Sequence, residues 1–190
     1  MTGADVARYI LNKNGLYDVP IERVQGHLSD HYDPRSRVVR LSAGVHDSTS
    51  IAALGVAAHE VGHAVQHDSG YMPLYIRNTI IPITQIGSYI SIPLLLLGFL
   101  MGSPSLVELG ILLFAGIVFF QLVTLPVEFN ASRRAVAVLG GDAILTQDEL
   151  NGTKKVLQAA ALTYVAAAFM AVLQLVRLLL ISGVLGGRDD

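Results

Sequence analysis

The chain has 190 residues, of which 52% are hydrophobic and 15% charged, a composition too apolar for an ordinary soluble domain. Its formal net charge is −2 with no long block of one sign, so we expect no nucleic-acid partner. Cysteine is absent, which excludes disulfides, a thiolate zinc site and a cysteine nucleophile, so any metal must take nitrogen and oxygen ligands.

The N-terminal segment predicts a short helix followed by strands. Thr2 with Asp5 three residues later resembles a capping box, and Asn14-Gly15 is a plausible stop, so we expect a helix over roughly 3–13. The stretch VPIERVQGHLSDHYDPRSRVVRLS then has the pattern of extended chain, interrupted by the turn signal DPRS. A β-hairpin is expected, and its last strand, RVVRLS, is expected to offer an edge to an extended substrate.

The next predicted helix carries a candidate metal motif. DSTS supplies N-cap residues before IAALGVAAHEVGHAVQH, and Gly70 is the expected stop. His59 and His63 are four residues apart, so their imidazoles lie on one helix face and can share one ion. Glu60 follows the first histidine, where its carboxylate can reach a metal-activated water and act as a general base. This is the H-E-x-x-H arrangement of zinc hydrolases.

The other histidines are not expected to bind the ion. His67 would lie about 12 Å from His59 along the helix axis, so we interpret it as a helix-terminal histidine favoured by the dipole, or as a residue of the cleft rim. His27 and His31 fall in the predicted strand and turn, where this spacing separates them by about 13 Å and argues against a second zinc site. Solvated hairpin residues are the simpler interpretation, although His31 stays a candidate for hydrogen bonding to the substrate.

Three long segments without Asp, Glu, Lys or Arg have about the ~20 residues that a membrane core requires of a helix. We therefore predict transmembrane helices near 79–101, 106–127 and 155–180. The alternative is three buried helices of a soluble protein, but the rest of so short a chain is too small to cover them.

Two crossings of a membrane would return Glu128 to the side of the histidines. The connection at 102–105 has no Lys or Arg, whereas basic residues flank the opposite ends of the spans, namely Arg77, Arg133, Arg134, Lys154 and Lys155. By the positive-inside rule, the site faces the cytoplasm. An unpaired carboxylate at the membrane edge is costly, so we predict that Glu128 is the third metal ligand. The alternative is an ion pair with Arg133 or Arg134.

Long stretches of the chain resemble one protein family. HEVGH and LPVEFNASRRA, together with TGADVARYIL, GLYDV and GHLSDHYDPRSRVVRLS, are similar to the YugP-type neutral zinc metallopeptidases of bacterial membranes. The resemblance covers nearly the whole chain. It implies a membrane-embedded zinc protease with one Zn²⁺ per chain, of the gluzincin-like type with HExxH plus Glu. In this implied site His59, His63 and Glu128 are ligands and Glu60 is the catalytic base.

The chain also shows a more distant similarity to the HtpX protease and the CaaX prenyl protease. Those proteins have Asp four residues after the ligand Glu, where it can orient a zinc-bound histidine, but this chain has Ser132 there. Asn130 and Ser132 are the candidates for that orienting position. Members of the family usually carry an apolar helix before TGADVA, and this chain begins at Met1 without it.

The predicted fold is mainly α. It is a polytopic α-helical membrane protein with about three transmembrane helices and a small cytoplasmic α+β zincin-like catalytic portion. The predicted division places the N-terminal helix, β-hairpin and HExxH helix in 1–78 and two transmembrane helices in 79–127. The Glu-ligand helix and a connector occupy 128–154, and the third transmembrane helix and a tail occupy 155–190.

The predicted activity is zinc-dependent endopeptidase cleavage in the cell membrane, with a role in membrane-protein quality control. The expected partners are peptide or protein substrates, unfolded or membrane-bound, together with membrane lipid and further copies of the chain. The candidates for stabilising the oxyanion are His31, His67, Tyr71 and Arg133. The alternatives are a non-catalytic zinc-stabilised scaffold and a metal transporter, which ranks last because the predicted spans contain no histidine.

Overall fold

The computed structural model describes residues 1–183 of the chain, so the last part of the predicted C-terminal tail lies outside the described residues. It is mainly helical with one small sheet. The chain forms two compact units. The first consists of Met1–Leu74 and Pro126–Leu162, and the second of Tyr75–Leu125 and the chain from Thr163 onward.

The first helix, α1, spans Gly3–Lys13 as expected. The Thr2 hydroxyl accepts the backbone N–H of Asp5 at 3.2 Å, and the Asp5 carboxylate accepts that of Thr2 at 2.8 Å. The predicted capping box is therefore confirmed. The apolar residues of α1 recur at helical spacing and pack into the core of the first unit. They are Val6, Ala7, Ile10 and Leu11.

Three strands follow: β1 at Ile21–Val24, β2 at His31–Asp33 and β3 at Val38–Ser42. Strands β2 and β3 pair antiparallel, which confirms the predicted hairpin, and β1 pairs with β3 in parallel. The strand order is therefore β1-β3-β2. The prediction that the RVVRLS strand offers an edge is wrong, because both sides of β3 already carry a paired strand.

After the short helix α2 (Ala43–His46), helix α3 spans Ile51–Asp68. The Ser50 hydroxyl accepts the backbone N–H of Ala53 at 3.2 Å, so the predicted N-cap is confirmed. At the other end Gly70 has φ +63, a conformation that glycine adopts without strain. Helix α3 lies in the core of the first unit, and much of its buried surface is alanine and glycine.

Three long helices complete the chain: α4 at Met72–Met101, α5 at Pro104–Gly141 and α6 at Gln147–Ile181. Each is long and apolar enough to cross a membrane. The three predicted spans fall inside them. Large apolar side chains remain exposed along these helices, including Leu100, Leu112, Phe169 and Met170. Such surfaces are costly in water and suit a lipid environment.

Helix α5 runs without a break from the predicted span into the segment PVEFNASRRAVAVLGG. The sequence left open whether the chain continues or restarts there, and the helix continues until Gly141. It therefore supplies residues to the first unit from Pro126 onward. This portion of α5 carries Glu128.

Candidate metal centre

Helices α3 and α5 bring His59, His63 and Glu128 together in the first unit. Oε2 of Glu128 lies 3.1 Å from Nε2 of His59 and 3.7 Å from Nε2 of His63. One potential ligand atom from each residue lies within 4.8 Å of the others. Glu128 is 3% exposed and His63 8% exposed, so the group is shielded from water. These three residues could hold a metal ion.

A close backbone contact sets the distance between the two helices. A Cβ atom on Gly62 of α3 would lie 3.0 Å from the carbonyl oxygen of Ala131 and 3.2 Å from its Cα. Gly62 immediately precedes His63, and Ala131 follows Glu128 by less than one helical turn. Because both side chains are small, α3 and α5 approach closely enough for the imidazoles to reach the carboxylate.

The electrostatics of the group favour a cation. Burial by itself lowers the pKa of His63, but the nearby Glu128 carboxylate and the negative charge of Glu60 outweigh burial. The pKa of His63 is therefore raised above its ordinary value. A site that favours a proton on a buried imidazole also favours a metal cation, which competes with that proton for the same nitrogen.

His59 is oriented by a neighbour on α5. Its Nδ1 lies 3.0 Å from the hydroxyl oxygen of Ser132. The hydroxyl can accept an Nδ1–H, which leaves Nε2 directed at Glu128. Of the two candidates for an orienting residue, Ser132 contacts His59 directly.

His63 is oriented by Gln66, which sequence reasoning missed. The Oε1 of Gln66 lies 2.9 Å from Nδ1 of His63, and Gln66 is completely buried. Its Nε2 donates to the carbonyl of Val127 at 2.8 Å and to Oδ1 of Asn130 at 3.0 Å. Asn130 is thus connected to His63 by hydrogen bonds through Gln66. A polar residue three positions after His63, within the apolar stretch HAVQ, was the available signal in the sequence.

Glu60 follows His59 on α3 and is partly buried. Its negative charge contributes to the raised pKa of His63. Its place next to His59 on α3 is compatible with a general base beside the three residues. The catalytic role of Glu60 stays a prediction.

The other candidate residues lie outside this group of three. Nδ1–H of the exposed His31 donates to the Ser29 carbonyl at 2.7 Å. His67, in the last turn of α3, has its Nδ1 2.8 Å from the Tyr32 hydroxyl. The Tyr71 hydroxyl donates to the Pro126 carbonyl at 3.4 Å. Arg133 is exposed on α5, and Nε of Arg134 donates to Asn130 at 2.9 Å.

The donor set is one that zinc takes in proteins. Zinc in proteins takes imidazole nitrogen and carboxylate oxygen, and catalytic zinc sites use three protein ligands with one position left for water or substrate. Two imidazoles and one carboxylate make such a set. The hydrogen bonds of Ser132 and Gln66 at the Nδ1 atoms are of the kind that orients metal-bound histidines.

Comparisons with known proteins are consistent with a metal centre. Residues 1–183 match the model of the family described as "putative neutral zinc metallopeptidase". A curated protein of Bacillus subtilis (strain 168), "Putative membrane protease YugP", is 53% identical over 189 residues, which cover 100% of this chain and 83% of that relative. No solved structure matches the chain. The relative's name and the three apolar helices indicate a membrane protein. The resemblance drawn from the sequence is confirmed, and the chain belongs to this family of neutral zinc metallopeptidases.

Proposed function

We propose that the protein is a membrane-embedded zinc-dependent endopeptidase of the gluzincin-like type. The observation that carries the proposal is the group formed by His59, His63 and Glu128, with Glu60 beside it on α3. The family description and the name of the Bacillus relative support a protease that depends on zinc.

The residues of the chain have distinct roles in the proposed reaction. His59, His63 and Glu128 would hold a zinc ion, which would polarise a peptide carbonyl and lower the pKa of a water molecule when bound. The Glu60 carboxylate takes the proton of this water as its oxygen attacks the carbonyl carbon. Glu60 then delivers that proton to the amide nitrogen as the peptide bond breaks. Ser132 and Gln66 keep the two imidazoles in their orientations during the reaction.

The protein is proposed to cross the membrane several times, with the site on the cytoplasmic side. The basic residues at one end of the apolar helices and their absence from the connection at 102–105 support this orientation. Substrates would then be unfolded or membrane proteins presented at the cytoplasmic face, as membrane-protein quality control requires. Membrane lipid and further copies of the chain are the proposed partners.

Cleavage of casein by the zinc-loaded protein in detergent tests the proposal. The wild type is compared with Glu60→Gln, and with Glu22→Gln as a control that removes an exposed carboxylate from β1. Zinc content is determined on all three samples. We expect Glu60→Gln to bind zinc but to cleave about 10²- to 10⁴-fold more slowly, as loss of a general base does. Absence of zinc from the wild type would refute the proposal.

A non-catalytic zinc-stabilised membrane scaffold is the second candidate. The observation that favours it is the burial of ligands from two separate helices, since a metal bound there joins α3 to α5. This function predicts bound zinc, no cleavage of any substrate, and unfolding of the first unit on chelation. Cleavage that depends on Glu60 would exclude it.

A further inference from the structure

We propose that Gln66, Asn130 and Arg134 form a hydrogen-bonded chain that fixes the tautomer of His63, so that Nε2 of this histidine is kept for the metal. The inference rests on the proposed metal-binding function of the site. It assigns Gln66 as a positioning residue that acts through His63.

The first link of the chain is unambiguous because arginine can only donate hydrogen bonds. Nε of Arg134 lies 2.9 Å from one terminal atom of the Asn130 amide. Only an oxygen can accept this bond. The terminal atom of Asn130 that faces Arg134 is therefore Oδ1.

The second link fixes the amide of Gln66. The same Oδ1 of Asn130 lies 3.0 Å from one terminal atom of Gln66, and the backbone carbonyl of Val127 lies 2.8 Å from that atom. Both neighbours are acceptors, so the atom between them must be the NH₂ group. Two independent anchors, Arg134 and the Val127 carbonyl, thus require the same orientation of Gln66.

The third link reaches the metal ligand. Once its NH₂ group is placed, the other terminal atom of Gln66 is Oε1, which lies 2.9 Å from Nδ1 of His63. An amide oxygen can only accept, so Nδ1 of His63 must carry the hydrogen. Nε2 then points toward Glu128 and has its lone pair available when the imidazole is neutral.

Reversal of the Gln66 amide would be costly. It would place Oε1 against the oxygens of Val127 and Asn130, and NH₂ against the Nδ1–H of His63. Because Gln66 is completely buried, water cannot satisfy the mismatched groups. The chain therefore selects one tautomer of His63 before any metal arrives.

Helix α5 thus has a double role. It supplies Glu128 as a ligand, and it orients both histidines of α3, His59 through Ser132 and His63 through Asn130 and Gln66. The ligand and the orienting groups lie on consecutive turns of one helix, so they move together.

Zinc affinity is the main test, measured on the full chain in detergent by competition with a chromophoric chelator. Gln66→Met keeps the approximate shape but removes all three hydrogen bonds, and should lower zinc affinity about 10- to 100-fold. Gln147→Met changes an exposed glutamine of the first unit and should leave it unchanged. Wild-type affinity in Gln66→Met would overturn the inference.

Substitutions at Asn130 test whether this residue orients the Gln66 amide or only contributes to packing. Asn130→Asp retains an oxygen toward both Gln66 and Arg134, so it should keep zinc affinity, whereas Asn130→Leu should lose it. Arg134→Met should weaken zinc binding less than Gln66→Met does when Asn130 is present, because the Asn130 amide can then reverse while the Val127 carbonyl still holds the Gln66 amide. Arg134→Met should have little effect in the Asn130→Asp background, since either oxygen of the carboxylate can accept the hydrogen bond of Gln66. Equal losses in Asn130→Asp and Asn130→Leu would overturn the inference even if Gln66→Met fails to fold.

A second readout does not require metal. In ¹⁵N-labelled metal-free protein, the Nδ1–H of His63 should give a signal protected from exchange with water. The signal should persist in Asn130→Asp and disappear in Gln66→Met. A wild type without zinc affinity but with this signal would refute the proposed function and leave the hydrogen-bonded chain intact. A wild type without the signal would refute the chain.

Discussion

At the scale of single residues, each histidine of the metal group depends on its own neighbour. His59 contacts the Ser132 hydroxyl, and His63 contacts the buried amide of Gln66. A hydroxyl can rotate and both donate and accept, whereas the Gln66 amide is fixed by two further bonds. Substitution of Ser132 should therefore disturb the orientation of His59 less than substitution of Gln66 disturbs the orientation of His63.

Ser132→Ala should lower zinc affinity by about tenfold, at the low end of the effect of removing a group that orients a metal ligand. Ser132→Asp should keep zinc affinity, because a carboxylate also accepts the Nδ1–H of His59. Chelator competition measures both variants. Ser29→Ala, which removes a hydroxyl bound to the Gln25 carbonyl in an exposed loop, is the control. Equal affinities in Ser132→Ala and Ser132→Asp would contradict this role.

The sequence allowed the metal group to be predicted but not its hydrogen-bonding neighbours. The spacing of His59 and His63 is a local property of a helix, and the cost of an unpaired carboxylate marked Glu128. Gln66 gives only a weak local signal, its spacing from His63, because Val127 and Asn130, which fix its amide, lie 61 and 64 residues away in the chain. The sequence also left open whether Asn130 or Ser132 is the orienting residue, because both are far from the histidines in the chain. In the structure, Ser132 contacts His59, and Asn130 is connected to His63 through Gln66.

At the scale of elements, the contact of α3 with α5 sets the geometry of the metal group. The glycine of HEVGH faces Ala131 across this contact, so the motif contributes to packing as well as to chemistry. A larger side chain must separate the two helices, and every ångström of separation moves Glu128 away from the imidazoles.

Gly62→Ala should lower zinc affinity and destabilise the first unit by about 1–3 kcal/mol, the usual cost of overpacking. The added Cβ would meet the backbone of Ala131, which cannot turn aside as a side chain can. Zinc titration and thermal unfolding in detergent measure the two effects. Gly44→Ala is the matched control, because nothing lies within 4 Å of its added Cβ. Equal zinc affinity in the two variants would show that the contact does not set the geometry.

The β2–β3 turn provides a pH-dependent contribution to stability. The Ser36 hydroxyl and the Arg35 backbone N–H donate to Asp33, and Arg40 donates to it at 3.2 Å, so the pKa of Asp33 lies well below its ordinary value. A lowered pKa in the folded state stabilises the fold above the pKa of the unfolded carboxyl, about 3.9, and the stabilisation is lost as the pH falls below it.

Asp33→Asn should therefore lower the free energy of unfolding by about 1 kcal/mol at pH 7. The difference from wild type should shrink as the pH falls below about 4. Circular dichroism during heating in detergent measures it. Asp18→Asn, which removes an exposed carboxylate 3.7 Å from Arg37, should have little effect at either pH. A difference that stays constant with pH would mean that the Asp33 charge is not responsible.

Local sequence patterns predicted the elements better than their arrangement. The capping box, the Ser50 cap and the DPRS turn depend on residues within four positions of one another, and all three features are present. The parallel pairing of β1 with β3 is different, because β1 could pair with either strand of the β2–β3 hairpin. No local pattern specifies which strand β1 pairs with, so the central position of β3 could not be predicted.

At the scale of the whole molecule, three long apolar helices indicate a membrane protein. The helices extend beyond the predicted spans at some ends, where MPLYIR and QDELNGTKK continue the helices past the apolar segments. The distribution of charged residues indicates which part of a helix can lie in lipid, but it does not indicate where the helix begins or ends. The division of the chain into four parts stays a prediction, as does the side of the membrane.

The absence of cysteine makes the orientation directly measurable. In intact protoplasts, Ser105→Cys, next to the connection between α4 and α5, should react with a membrane-impermeant maleimide. Thr49→Cys, exposed in the first unit, should react only after the membrane is permeabilised. The unsubstituted chain is the control for background labelling. Reaction of Thr49→Cys in intact protoplasts would place the site on the outer side.

The separation of the donor residues along the chain has a consequence for assembly. His59 and Glu128 are 69 residues apart, and the segment between them includes all of α4 and the apolar part of α5. An ion bound to both would close this loop as a reversible cross-link, and closing a loop of this length is worth roughly 4 kcal/mol when it restricts the unfolded chain. A chain whose apolar helices have not yet found their places offers two imidazoles but no carboxylate. Tight binding of an ion by all three residues would therefore require that α5 already packs against α3.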